Sequence, residues 1–175
     1  IRLSTIRELR RISWKEVQLQ YSTFLKMRPH LIEILENTLA ELGVEKGTIK
    51  LEYSLDKLQW LNNLLPSLVK SRDLTPEEIQ ATLDDMPKEH WSIIKKFVIF
   101  TPESEYLLNL VGFFIGEMLI LQNTSYYWAL DKVKHSATYT QPILWGSSSF
   151  IQYAPLQTMN VVGHIIILDN NDDPE

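Results

Sequence analysis

The most constraining feature of the sequence is the apolar stretch EYLLNLVGFFIGEMLILQN at residues 105–123. Its core, from Tyr106 to Leu121, is interrupted by only two strongly polar residues, Asn109 and Glu117. A membrane-spanning helix needs about 20 largely uncharged residues, and a carboxylate in the middle of a bilayer is costly. A helix that is apolar nearly all round therefore indicates the buried central helix of a soluble fold, and no membrane association is expected.

Two glycines four residues apart, Gly112 and Gly116, precede Glu117 directly. On a helix, this spacing lets a neighbouring element approach the backbone closely. A buried Glu117 needs a hydrogen-bond or charge partner, because burial of an unpaired carboxylate costs several kcal/mol. We expect Glu117 to tie the helix to the following strand through the aromatic group at residues 126–128, or to a basic side chain. A catalytic role is the alternative.

Helical periodicity dominates the first two thirds of the chain. Apolar residues recur at intervals of three and four over residues 4–26 and again after Pro29, where Gly43 is expected to end the second helix. Ser54 is expected to cap a third helix over LDKLQWLNNLLPSLVKSR, residues 55–72, that Pro66 bends or interrupts.

Three more helix starts carry proline. Thr75 is expected to cap a helix that begins at Pro76, and Thr101 repeats this signal before Pro102 and the central helix. Another short helix is predicted from Pro87, with a strand-like end.

After residue 125 the pattern becomes that of strands. YYWALDKV, at 126–133, predicts one strand, and PILWGSSSFIQY, at 142–153, predicts a hairpin that turns near Gly146. Residues 156–168 fit either a helix or a strand, and Pro155 with the helical spacing favours a helix.

The predicted fold class is α+β, with a mostly helical N-terminal two thirds packed on a small C-terminal antiparallel sheet. We expect a single domain over residues 1–168 and an acidic tail over 169–175. The charge of −5 argues against nucleic-acid binding, which needs a basic face. The absence of cysteine excludes disulfides and thiolate metal sites and fits a cytoplasmic location.

Residues that could carry chemistry are scattered. The four histidines, His30, His90, His135 and His164, lack the spacing of a zinc site. The serines at 147–149 are typical of a hairpin turn, and Asp84 and Asp85 are typical of a solvated helix end. Glu117 has no second carboxylate of the kind that glycosidases use. No catalytic residue, cofactor or metal is therefore assigned.

Aromatic side chains crowd the predicted sheet, whereas Trp14, Trp60 and Trp91 fall on helical stripes and are expected in the core. Because alternate strand residues face opposite sides, about half of the sheet aromatics should face outward. Exposed aromatics favour a partner or ligand surface. The candidate interaction surface consists of Tyr126, Tyr139, Trp145 and Tyr153.

Two stretches resemble a set of uncharacterised bacterial α+β domains. They are LEYSLDKLQWLNNLL at 51–65 and LLNLVGFFIGEMLILQNTSYYWAL at 107–130, where Gly116-Glu117 is followed by a turn and a strand bearing Trp128. The resemblance covers about residues 51–165. It supports Gly116-Glu117 as an anchor and implies, for some members, immunity-type binding of a toxin. The basic pair and double glycine found after Gly-Glu in such proteins are replaced here by ILQNTS.

The sequence thus predicts a non-catalytic protein that acts by binding another protein, with a toxin as the partner that the resemblance implies. The alternatives are a small hydrolase or a ligand-binding module with a site near Glu117. The oligomeric state is left open.

Overall fold

The structure, a computed structural model, describes residues 13–84, 98–134, 136, 138–146 and 152–171. The fold is α+β, as the sequence predicts. The described helices are α1 (Trp14–Met27), α2 (Leu31–Glu41), α3 (Leu55–Leu68), α4 (Pro76–Asp84), α5 (Pro102–Gln122) and α6 (Pro155–Asn171). The described strands are β1 (Ser71–Asp73), β2 (Val98–Phe100), β3 (Tyr127–Leu130), β4 (Pro142–Trp145) and β5 (Gln152–Tyr153).

Helix α1 begins with a capping box at Ser13. The Ser13 hydroxyl accepts from the Glu16 backbone N–H at 3.3 Å, and the Glu16 carboxylate accepts from the Ser13 N–H at 2.7 Å. The predicted helix over 4–26 is thus present from residue 14 onward, and residues 1–12 lie outside the described part. A 3₁₀ turn at Arg28–His30 separates α1 from α2 and contains Pro29. This turn brings Arg28 to the candidate site described below.

Helix α3 is capped by Ser54 as predicted, since the Ser54 hydroxyl accepts from the Lys57 N–H at 3.3 Å. The helix continues through Pro66 to Leu68. Pro66 lies in the last turn, so the missing N–H and the ring disturb only the end of the helix.

Strands β1 and β2 form a two-stranded antiparallel sheet. The sequence analysis did not predict β1. Ser71 and Arg72 were expected to continue the preceding helix, but they pair with Phe100 and Ile99. The strand-like end predicted ahead of residue 101 is present as β2. The Ser104 hydroxyl accepts from the Lys70 N–H at 2.7 Å and so fixes the entry to β1.

Helix α5 is the centre of the core and packs mainly against α2 and α6. It is long and apolar enough to cross a membrane by composition, but 56% of its most apolar window is buried inside the fold. The first turn of α6 lies close against it at Gly112, where an added Cβ would come within 3.1 Å of the Leu156 Cα and the Pro155 carbonyl oxygen. Gly112 therefore lets the backbone of α6 approach α5 closely, as the sequence predicted.

The C-terminal sheet is antiparallel in the order β3-β4-β5. Its register pairs Trp128 with Leu144 and Leu144 with Tyr153. Residues 156–168 are helical, which settles the ambiguity between helix and strand. Helix α6 runs on to Asn171, so the first three residues of the predicted tail are helical, and residues 172–175 fall outside the description.

Candidate functional site

The carboxylate of Glu117 lies in a closed hydrogen-bonded group, here called the Glu117 cluster (Arg28, Glu117 and Trp128). The Arg28 Nε donates to Oε1 at 2.6 Å and its Nη2 donates to Oε2 at 3.0 Å. The Trp128 indole Nε1 donates to Oε1 at 2.7 Å. Glu117 thus joins α5 to both the turn after α1 and strand β3, which are the two kinds of partner that the sequence analysis expected.

Gly116 makes this contact with Trp128 sterically possible. A Cβ at Gly116 would lie 2.1 Å from Cζ2 and 2.4 Å from Cη2 of the Trp128 ring, so only glycine lets the indole rest directly on α5. Phe24 of α1 and Phe113 of α5 hold the indole from the sides in edge-on geometry, with ring centroids 5.0 and 5.6 Å away. The Tyr21 hydroxyl donates to the Trp128 carbonyl at 2.7 Å. Contacts with Gly116, Phe24 and Phe113 therefore position the indole, while Tyr21 binds the backbone of Trp128.

The cluster is mostly shielded from water, because the side chain of Glu117 is 12% exposed and that of Arg28 is 32% exposed. The hydrogen bond to Glu117 raises the pKa of Arg28 above its usual value, against the opposing effect of burial. Burial, and then the negative charge of Glu117, raise the pKa of Tyr53 to about 12. The cluster thus behaves as a charge-paired unit that also disfavours ionisation of a nearby phenol.

This geometry is poorly suited to acid–base chemistry. A general base needs a lone pair within reach of a substrate proton, whereas the Glu117 side chain is 12% exposed and already accepts three hydrogen bonds from Arg28 and Trp128. The described histidines are placed elsewhere. His30 lies 3.8 Å from Glu33 on the surface, and His164 packs against the Phe100 ring at 4.6 Å, with its pKa lowered by burial.

Of the other candidate residues from the sequence, only some lie in the described part of the structure. Asp84 accepts a hydrogen bond from the Gln80 side chain at 2.7 Å at the end of α4. Among the described residues, no group of three histidines or acidic side chains could hold a metal ion. His90, Trp91, His135, Asp85 and the serines at 147–149 lie outside the described residues.

The candidate aromatic surface is divided between two sides of the sheet. Paired residues of antiparallel strands project to the same side, so Tyr127, Trp145 and Gln152 share the side opposite Trp128. We call these three residues the outer aromatic face. Tyr153 lies on the Trp128 side and packs against the core.

The remaining members of the predicted aromatic surface, Tyr126 and Tyr139, are half-buried outside the strands, and Trp145 is half-buried on the outer face. Tyr127, which is 54% exposed, was not among the predicted surface residues. The signal that could have found it is the alternation of strand residues, since Tyr127 directly precedes Trp128, which contacts Glu117.

Asp131 is a buried acid that sequence reasoning missed. It is 1% exposed, and its carboxylate accepts from the Thr138 hydroxyl at 2.6 Å and from the Val133 N–H at 2.9 Å. Burial alone would raise the pKa of Asp131, but hydrogen bonds from Ser136, Thr138 and neighbouring groups outweigh it and lower the pKa. Asp131 thus links Val133 to Thr138 within the described part of the segment between β3 and β4.

A groove of about 440 Å³ runs between α3, α5 and α6. It is lined mainly by aliphatic side chains, and its polar groups are the neutral side chains of Gln59, Asn62 and Thr158. No lining residue carries a charge. The groove could not be predicted from the sequence because its walls come from three helices far apart in the chain.

A comparison with protein families, with curated proteins and with solved structures finds no match to this chain. The resemblance over residues 51–165 therefore stays a prediction that rests on its two motifs.

Proposed function

We propose that this chain is a non-catalytic protein that acts by binding another protein through the outer aromatic face. In line with the family resemblance, the proposed partner is a toxin held in an immunity-type complex, and the proposed location is the cytoplasm. The observation that carries the proposal is the contrast between two neighbouring residues of β3. Trp128 on the inner side is locked to Glu117, whereas Tyr127 on the outer side is open to solvent.

The composition of the outer aromatic face supports protein binding. Tyr127 and Trp145 are directly opposed on neighbouring strands. Tyrosine and tryptophan are the residues most enriched among those that dominate binding energy at protein interfaces, because they bury a large area at a small cost in side-chain entropy. Their backbones are already paired in the sheet, which reduces the ordering cost on binding.

The loop held by Asp131 extends the same hairpin and carries two exposed lysines. Lys132 and Lys134 flank Val133, which is 58% exposed. Since the whole chain has a charge of −5, a local basic loop favours a partner with an acidic patch beside its aromatic-binding surface. The Asp131 carboxylate accepts from the Val133 N–H, directly beside Lys132, and from the Thr138 hydroxyl, which supports the described part of this segment.

The rival proposals of a hydrolase or a ligand site at Glu117 find no support in the cluster geometry, because both carboxylate oxygens are already engaged. A substrate would have to displace Arg28 or move a tryptophan that is 5% exposed. The cluster is thus better explained as an anchor that positions β3, and with it the outer face.

The test is capture of partners from the source cell with three versions of the protein: the wild type, Tyr127→Ala and the control Leu19→Ala. Leu19 is a comparably exposed apolar side chain on α1, at 66%. A partner identified with the wild type is then purified, and its affinity for each version is measured by calorimetry. Because truncation of a hot-spot aromatic costs about 2 kcal/mol or more, we expect at least a tenfold weaker complex with Tyr127→Ala and unchanged binding with Leu19→Ala.

Two results would overturn the proposal. One is equal affinity of the purified partner for the wild type and for a folded Tyr127→Ala. The other is a measured turnover that a fully folded Glu117→Gln variant loses, since this would place Glu117 in a reaction instead of an anchor.

A further inference from the structure

The chain enters β4 through a residue in an unusual backbone conformation. Thr140 has a φ of 69°, and among the described residues it is the only one other than glycine with a positive φ. A β-branched side chain is disfavoured there because its Cβ comes too close to the following carbonyl oxygen. Such conformations persist only where the surrounding structure enforces them, and they are concentrated at ligand-binding and switch regions.

The hydrogen bonds around Thr140 define a tight turn. The Gln141 N–H donates to the Thr138 carbonyl at 2.8 Å, which closes a turn with Thr140 at its third position. Type II turns have a positive φ at this position, which is normally occupied by glycine.

The same residue begins a β-bulge opposite Asp131. The Thr140 N–H donates to the Asp131 carbonyl at 2.9 Å, and the Asp131 N–H donates to the Gln141 carbonyl at 3.0 Å. Two residues of one strand thus oppose one residue of the other. In the class of bulge whose first residue has a positive φ, that residue is again normally glycine. Thr140 therefore stands at a position that favours glycine for two separate reasons.

Threonine at this position adds a buried side chain to the bulge. Thr140 is 6% exposed and borders a narrow gap between the sheet and α1 that Val17 and Tyr21 also line. Its hydroxyl donates to the carbonyl oxygen of Tyr139 at 2.5 Å. Glycine has no such side chain and populates positive and negative φ about equally. Threonine therefore restricts the backbone at the bulge more than glycine would, at a cost in stability.

The bulge borders the exposed basic segment of the hairpin. Asp131, the residue opposite the bulge, is followed directly by Lys-Val-Lys at 132–134, and all three residues are exposed. The Asp131 carboxylate also accepts from the Val133 N–H at 2.9 Å. Asp131 thus binds Thr140 through its backbone and Val133 through its side chain, so the direction of the exposed segment depends on the bulge. Bulges beside functional sites commonly re-aim side chains in this way.

We propose that Thr140 is a positioning residue for partner binding, and that its bulge fixes where Lys132 and Lys134 stand relative to Tyr127. This role rests on the function proposed above and adds how the partner is selected: its acidic patch has to lie at a set distance from the surface that receives the aromatic side chain. Tyr127 begins strand β3 and Asp131 directly follows it, so the strand connects the two contact regions. Charges held in fixed positions discriminate against partners whose complementary charges stand elsewhere.

The first experiment needs no partner and compares Thr140→Gly with the wild type by amide hydrogen exchange in NMR. The exchange rate of the Val133 N–H is divided by that of Leu35, which is 0% exposed in the core, so that a change in global stability is not mistaken for local loosening. We expect this ratio to rise at least about fivefold in Thr140→Gly, because local opening becomes easier. If circular dichroism shows that this variant is not folded, Thr140→Asn replaces it, since asparagine also tolerates a positive φ.

A matched control measures the cost of threonine in this kind of backbone. Gly43, after α2, has a φ of 94°, and an added Cβ there would meet nothing within 4 Å. Gly43→Thr therefore introduces the backbone strain without new contacts, and its urea midpoint should fall below that of the wild type.

The second experiment tests whether Thr140 acts through the two lysines. The affinity of the partner identified by capture is measured by calorimetry for Thr140→Gly, for the Lys132→Ala/Lys134→Ala variant and for the triple variant. We expect Thr140→Gly to weaken the complex at least about fivefold in the wild type and less than about twofold when both lysines are absent, because coupled residues do not have additive effects.

Three results would overturn the positioning role: an unchanged exchange ratio in Thr140→Gly, a Gly43→Thr protein as stable as the wild type, or a loss of affinity that persists without the lysines. Equal affinity for Tyr127→Ala would overturn the proposed function as well. If Tyr127→Ala weakens the complex and Thr140→Gly does not, only the positioning role is wrong.

Discussion

Replacement of Gly116 by alanine sets two effects of opposite sign against each other. Alanine is favoured over glycine inside a helix by about 1 kcal/mol, so helix propensity alone predicts a more stable protein. The contact with Trp128 predicts the reverse, because the new Cβ would lie 2.1 Å from Cζ2 of the indole. The magnitude of the second effect decides the outcome.

To restore an ordinary contact of 3.4 Å, the ring has to move by about 1.3 Å relative to α5. Such a movement stretches the 2.7 Å hydrogen bond from Trp128 to Glu117 beyond its working range. Loss of a hydrogen bond to a charged group costs about 1.5–3 kcal/mol, and overpacking of a core adds about 1–3 kcal/mol. After the gain in helix propensity, we expect Gly116→Ala to lower the free energy of unfolding by about 3 kcal/mol.

The assay is urea unfolding followed by tryptophan fluorescence, with the midpoint and the slope m fitted separately. The control is Asn63→Ala at an exposed position of α3, which should gain a few tenths of a kcal/mol from propensity alone. Trp128→Phe removes the atoms that clash, so adding Gly116→Ala to it should cost at least about 1 kcal/mol less than in the wild type. A Gly116→Ala protein as stable as the wild type would refute the close packing of the indole on α5.

Two further predictions concern the surroundings of Glu117. Arg28→Lys keeps the charge but loses the paired N–H geometry. We therefore expect the free energy of unfolding, measured with urea, to fall by about 1–2 kcal/mol. This loss should stay below the 3–5 kcal/mol typical of a broken buried pair because Arg28 is 32% exposed. Unchanged stability would contradict the bidentate contact. Burial raises the pKa of Tyr53 from 10.0 to about 12. Between these values the folded state keeps a proton that the unfolded chain releases. The protonated phenol therefore stabilises the folded state fully below pH 10, and this contribution is lost as the pH rises towards 12. The fall of the urea midpoint over that range should be shallower in Tyr53→Phe, and equal slopes would contradict the assigned environment.

The elements that the sequence predicted well carry strong local signals. Ser54 and Thr101 cap their helices as expected because a cap depends on residues only three positions apart. Strand β1, at Ser71–Asp73, was missed because three residues are too few to establish a period, and the strand exists only through its pairing with β2.

The register of strand pairing decides which residues face each side of the C-terminal sheet. Aromatic composition marked residues 126–153 as a sheet with outward aromatics, but a shift of one residue exchanges the two faces. The pairing with Leu144 places Tyr153 inside, and the pairing with Trp145 places Tyr127 outside. No local pattern contains that information.

The chain alone established that its central helix is buried and that an acid within it must be paired, because both conclusions follow from the cost of exposing apolar surface and of burying charge. Which residues pair with Glu117 is decided by the tertiary structure. Arg28 is 89 residues away from Glu117, and the groove beside α6 is made by three helices. Contacts over such separations depend on how the elements pack, and they are set by the mutual fit of whole surfaces, not by the spacing of neighbouring residues.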